Sequence, residues 1–191
     1  MIRLSQPKNL WVLFSKHLGL TIMEKIEFKK LLFKISFCTM GCDGDIDSLE
    51  IEEMKNIDKN TSFFNDVDLS LELEQLIIEF KDKGVLLVSE MFEELERSEL
   101  NPIKELIVLE VALRLINADG RHDENEKRFI QHLRAHLKVH DEEIFERFGD
   151  VDVLHVNPYV GRIRGPSSER VKLDIKMPDE NSLKKIDFKF D

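Results

Sequence analysis

Residues 37–54 read FCTMGCDGDIDSLEIEEM, and residues 112–133 read ALRLINADGRHDENEKRFIQHL. A shift of 76 positions lays Asp43-Gly44 on Asp119-Gly120, Asp47 on Asp123 and Glu50 on Glu126. Upstream it lays Leu31, Leu32, Phe33, Ile35, Phe37 and Met40 on Ile107, Val108, Leu109, Val111, Leu113 and Ile116. Apolar residues at steps of three and four predict a core-facing helix. Glycine after such a run predicts a left-handed stop. Aspartate followed three residues later by glutamate predicts a capped restart. Each stretch therefore reads as helix, Asp-Gly turn, helix.

Outward from these turns the pattern stays helical. Asn9 is placed to cap a short helix carrying Leu10, Trp11, Leu13 and Phe14, with Gly19 as its stop. Thr21 and Glu24 form a capping-box pattern that opens the long helix before the first turn. Between the turns, residues 69–83 and 85–97 read as two helices separated at Gly84. Asn101-Pro102 is a cap followed by a helix-starting proline. The helix it opens is apolar over much of its surface and is the expected centre of the fold. Asp141 is placed to cap a last short helix ending near Gly149.

After residue 149 the period changes. Val171, Leu173, Ile175 and Met177 alternate with Lys172, Asp174 and Lys176, and Ile186, Phe188 and Phe190 alternate with Asp187 and Lys189. Period two with a turn at 178–182 predicts a β-hairpin, and residues 151–156 are a candidate third strand. An isolated hairpin is marginal in water, so a homodimer through its edge is one expectation. The expected organisation is an all-α domain over 1–149, then an extension over 150–191.

The 191 residues carry a formal net charge of −10. Residues 150–191 hold eight acids and eight bases, so the excess lies wholly in the first 149. An acidic surface repels phosphate backbones, which argues against nucleic acid and favours cations or a basic protein partner. The stretch 10–20 is broken by Ser15, Lys16 and His17, too polar for a membrane span or a signal peptide. Two cysteines, Cys38 and Cys42, sit four apart in a helical pattern, which suits a reducing cytoplasm better than a disulfide.

Two readings of the turns stand side by side. As caps, Asp47-Glu50 and Asp123-Glu126 need no ligand, each cap contributing about 1 kcal/mol. As a cation site, Asp43, Asp45, Asp47 and Glu50 gather four carboxylates in eight residues, and Asp119, Asp123, Glu124 and Glu126 gather four in the second copy. Oxygen-only donors suit Ca²⁺ or Mg²⁺, with Zn²⁺ the poorer fit. The first copy opens like an EF-hand but carries Ser48 where glycine is needed and Met54 where the bidentate glutamate belongs. The second has Arg121 at the third position, so a standard EF-hand is rejected. His132, His136 and His140 recur every four residues and read as a solvated face. No nucleophile-and-base order, phosphate loop or Cys-x-x-Cys pair is present, so catalysis is not expected.

The two quoted stretches resemble the TerB-like family, helical proteins linked to bacterial tellurite resistance. The likeness spans roughly residues 21–149. It implies an all-α bundle of two pseudo-symmetric helix–loop–helix halves, and a non-enzymatic stress-response role. It also implies a metal site at Asp43, Asp47, Glu50, Asp119, Asp123 and Glu126. The alternative is a protein-interaction or immunity-type inhibitor whose acidic turns serve only as caps.

Overall fold

The computed structural model describes residues 10–120 and 124–155, together with Lys176, Pro178, Asp179, Leu183 and Phe190; side chains are described from Glu24 onward. The described residues are all-helical. The order is α1 (Leu10–Met40), α2 (Ser48–Asn60), α3 (Leu69–Lys83), α4 (Leu86–Arg97), α5 (Pro102–Ile116), α6 (Glu124–His136) and α7 (Asp141–Phe148), followed by a 3₁₀ turn at Asp152–Leu154.

The second half of α1 is the axis. From Leu31 to Cys42 every residue except Lys34 is buried. Polar positions survive there only because they are satisfied within the helix. The Ser36 hydroxyl donates to Leu32 O and the Thr39 hydroxyl to Ile35 O, each at 2.8 Å. Lys34 reaches outward, its Nζ 2.9 Å from Glu94 Oε2 on α4. Helix α1 packs on α3, α4, α5 and α6, most extensively on α5. The expected centre at α5 is thus a pair, α1 with α5, because the apolar residues of α1 cover its whole circumference and not one stripe.

Several sequence expectations are corrected. No break occurs at Gly19, since α1 runs unbroken from Leu10 to Met40. Glycine costs only about 1 kcal/mol in a helix and, unlike proline, keeps its N–H donor. His140, not Asp141, stands before α7, and its N–H is taken by Glu143 Oε2 at 3.1 Å. Asp141 bonds Arg134 instead, at 2.6 Å. The candidate strand at 151–156 is a 3₁₀ turn at Asp152–Leu154, with Val153 and Leu154 buried against α6. Consecutive apolar residues can be buried by a tight turn as well as by a strand, and here the nearby face of α6 selects the turn.

The C-terminal hairpin is not supported. Among the described residues none is in a strand, and Leu183 is helical, its N–H donating to Asp179 O at 3.1 Å. The rest of the expected hairpin lies outside the described residues. No strand edge is therefore described for a homodimer to pair through. What is described packs back on α1. Leu183 is buried in the core, and the Phe190 ring meets Phe33 edge-on at 5.9 Å between centroids. Pro178 Cδ stands 3.0 Å from where a Cβ on Gly41 would be, and Lys176 Cβ the same distance from one on Gly44.

The two turn glycines both have positive φ, +99° at Gly44 and +71° at Gly120. Their surroundings differ. Gly44 is pressed by Lys176, whereas among the described residues nothing lies within 4 Å of a Cβ on Gly120. Gly120→Ala is expected to cost about 1 kcal/mol, from backbone strain alone. Gly44→Ala adds a clash with the Lys176 backbone and is expected to cost about 2–3 kcal/mol. Urea unfolding of the two variants checks this, and equal losses would remove the distinction between the turns.

Candidate functional site: the acidic turns

The first turn is built by local hydrogen bonds. Helix α1 closes with Gly41 N–H on Phe37 O at 3.1 Å and Gly44 N–H on Gly41 O at 3.2 Å. Asp43 Oδ1 accepts the Asp45 N–H at 2.9 Å, and Asp45 Oδ1 accepts the Ile46 N–H at 3.0 Å. Asp47 then caps α2, its Oδ1 accepting the Leu49 N–H at 2.7 Å. Glu50 reaches back, Oε2 accepting the Asp47 N–H at 2.9 Å, which completes a capping box. The cap reading of Asp47 and Glu50 holds in full detail.

Burial separates these acids. Asp45, Asp47 and Asp119 are exposed, and Asp43 is half-buried. Glu50 is only 6% exposed and Glu126 only 8%. Ile46 and Cys42 are buried beside the first turn, so the chain that carries Glu50 is drawn inward by its apolar neighbours. From the other end of the sequence, Glu126 sits in the first turn of α6, one residue group ahead of the buried Phe129, Ile130 and Leu133.

These groups feel one another. Burial pushes the Glu50 carboxyl up to about 9, against the stabilising bond from the Asp47 N–H, and the charges of Glu126, Asp43 and Asp47 push it the same way. The Cys42 thiol is raised strongly by burial, and further by Glu126, Asp43 and Glu50. Burial also raises the Cys38 thiol, to about 12. Both cysteines are accordingly thiols at neutral pH and poor nucleophiles.

Of the residues singled out in the sequence, the fold brings Asp43, Glu50 and Glu126 to one locality around Cys42. Asp45 and Asp47 stay on the first turn with their carboxylates turned to backbone N–H groups. Asp119 stands exposed on the second turn, and Asp123, like Arg121, lies outside the described residues. Among the described residues no three His, Cys, Asp or Glu side chains are placed to hold a metal ion. Cys42, which the 76-residue shift lays on Ala118, is fully buried.

The histidine face is corrected. His136 stacks on Phe92 of α4 with centroids 4.6 Å apart and planes 25° from parallel. Burial lowers the His132 pKa, and the neighbouring His136 lowers it further. His140 lies past the end of α6 and does not share their face. Helix α4 covers the two rings, a tertiary contact that four-residue spacing does not announce.

Comparison with models of protein families, with curated proteins and with solved structures finds no match. Among the described residues no helix is long and apolar enough to cross a membrane.

The buried Glu50 has a pH signature. Its folded pKa lies above its value of 4.5 in the unfolded chain, so between those values the folded state holds the extra proton. Stability must therefore fall as pH rises from about 4.5 towards about 9. Glu50→Gln keeps an oxygen for the Asp47 N–H but carries no charge. In chelator-treated buffer the variant is expected to exceed the parent by about 2 kcal/mol at pH 8, a gap that closes near pH 4. Thermal unfolding across that range is the check. A gap independent of pH would mean that Glu50 is not the titrating group.

Proposed function

We propose that this chain is a non-enzymatic, TerB-like stress-response module of the bacterial cytoplasm, and that its two acidic turns take one divalent cation, Ca²⁺ or Mg²⁺, between them. The observation that carries this reading is the approach of Glu50 and Glu126, two buried carboxyls from separate turns, whose charges oppose each other. Two carboxylates in a low-dielectric setting cannot both ionise without compensation. A proton on Glu50 is one form of compensation, and a hard cation is another. Asp43 beside them and Asp119 and Asp123 on the second turn would complete an oxygen donor set, with Asp45 and Asp47 at its rim. In this reading the halves that carry the turns are related pseudo-symmetrically.

A cation that replaces the Glu50 proton must bind more tightly as pH rises, and must release a proton on binding. Calorimetric titration of chelator-treated protein with Ca²⁺, Mg²⁺, Mn²⁺ and Zn²⁺ at pH 6.5 and 8 is the test. Saturable binding of Ca²⁺ or Mg²⁺ is expected, stronger at pH 8, with a raised Tm, and lost in Glu126→Gln. No heat and no thermal shift with any of the four metals would sink the cation reading.

One observation favours the alternative, an interaction or immunity-type inhibitor protein. The Asp43, Asp45, Asp47 and Glu50 carboxylates are each already engaged by a backbone N–H of the same turn. If the turns are only caps, Asp43→Asn with Asp119→Asn leaves metal response and partner binding alike unchanged.

A further inference from the structure

A second acidic feature lies at the other end of α6. Glu126 and His136 are ten residues apart on that helix, about 15 Å along its axis. There the connection between α4 and α5 faces the end of α6 across a cleft of about 450 Å³. Glu96, Glu99 and Glu105 line it, opposed by Lys138 alone among the described lysines and arginines. Leu95, Leu100 and Leu137 supply apolar surface between them. None of the described acids of the two turns borders it.

Glu105 is the unusual wall. It is only 4% exposed, and its Oε2 accepts two backbone N–H groups, from Lys138 at 2.7 Å and from Val139 at 2.5 Å. Its Oε1 carries no hydrogen bond among the described residues, although the side chain borders the cleft. That oxygen keeps contact with water at the cleft, where a donor can meet it. His136 supplies a second polar group. Its Nδ1 faces the His132 carbonyl at 2.8 Å, so that nitrogen is the N–H donor, and Nε2 stands 3.6 Å from Glu96 Oε1.

The ligand chemistry follows from spacing and lining. Among the described residues no three of these side chains are placed to grip one metal ion. Carboxylates that are too dispersed for a point charge suit a cation that spreads its charge along a chain. The leucines between them suit methylenes. A volume near the lower end of small-molecule sites limits the occupant to a few carbon–nitrogen units. We propose that this cleft binds a free aliphatic diamine or polyamine, one ammonium at Glu105 Oε1 and another at Glu96 and Glu99, with the hydrocarbon stem on Leu100 and Leu137.

The Lys138 and Val139 amides, both bonded to Glu105, are built-in reporters. Amide NMR of the full-length chain titrated with 1,5-diaminopentane or spermidine should move these two signals saturably. Glu96→Gln with Glu99→Gln changes only exposed side chains and should weaken binding about tenfold, the loss of one charge-assisted contact. Glu105→Gln should weaken it at least as much. Should that variant fail to fold, the exposed pair still decides. Four results would overturn the proposal. These are unmoved reporters at millimolar amine, equal affinity in the exposed double variant, Mg²⁺ moving the same signals at the same concentration, and a lysine peptide that binds where the free amines do not. Shifts confined to the residues around Asp43 and Glu126 would likewise count against it and place the amine at the acidic turns.

Discussion

The burial of α1 from Leu31 to Cys42 on all sides governs the rest of the molecule. Twelve consecutive positions with one outlet, Lys34, cannot be covered by a single partner helix. Helices α3, α4, α5 and α6 therefore gather around one axis. Burial runs past the helix end through Gly41 and Cys42 and resumes at Ile46, with Asp43 and Gly44 half-buried and Asp45 exposed between them, so the turn is drawn partly inside. A turn that enters the core carries its capping glutamate with it. Glu50 is buried as a consequence of packing, not as a choice made at the cap.

That consequence gives the site its chemistry. A capping box on an exposed turn contributes a modest stabilisation and titrates normally. The same box inside the core places a carboxyl where ionisation is expensive, and α6 brings a second one, Glu126, to the same place. The other end of α6 handles buried charge differently. Arg134 donates to Val139 O at 3.0 Å and to Asp141 Oδ1 at 2.6 Å, while Glu105 takes the N–H groups of Lys138 and Val139. There a cation and an anion staple the α6–α7 connection from both sides. Arg134 and Glu105 carry opposite charges there, whereas Glu126, Asp43 and Asp47, the described charges that act on Glu50, share its sign.

The C-terminal segment makes the two turns unequal. Lys176 and Pro178 close on Gly44 and Gly41, and Leu183 is buried in the core. Duplicated sequence thus produces two turns with similar backbone and different surroundings.

Local signals were legible because local physics writes them. The caps at Asp47 and Asn101, the stops at Gly84 and Gly149, and the all-α class follow from side-chain hydrogen bonds and apolar spacing within a few residues. The duplicated Asp-Gly turns were legible for the same reason. The sequence could not say that Gly19 would be overridden, that residues 152–154 would coil instead of extend, or that Phe92 would cover His136. Each depends on a surface supplied from elsewhere in the chain. The distinction among the acids is of the same kind. Asp43, Asp45, Asp47 and Glu50 look alike as letters, and only the tertiary structure leaves Asp45 and Asp47 in water and sinks Glu50 beside Glu126. Dielectric environment is a property of what surrounds a group, and no run of neighbouring residues encodes it.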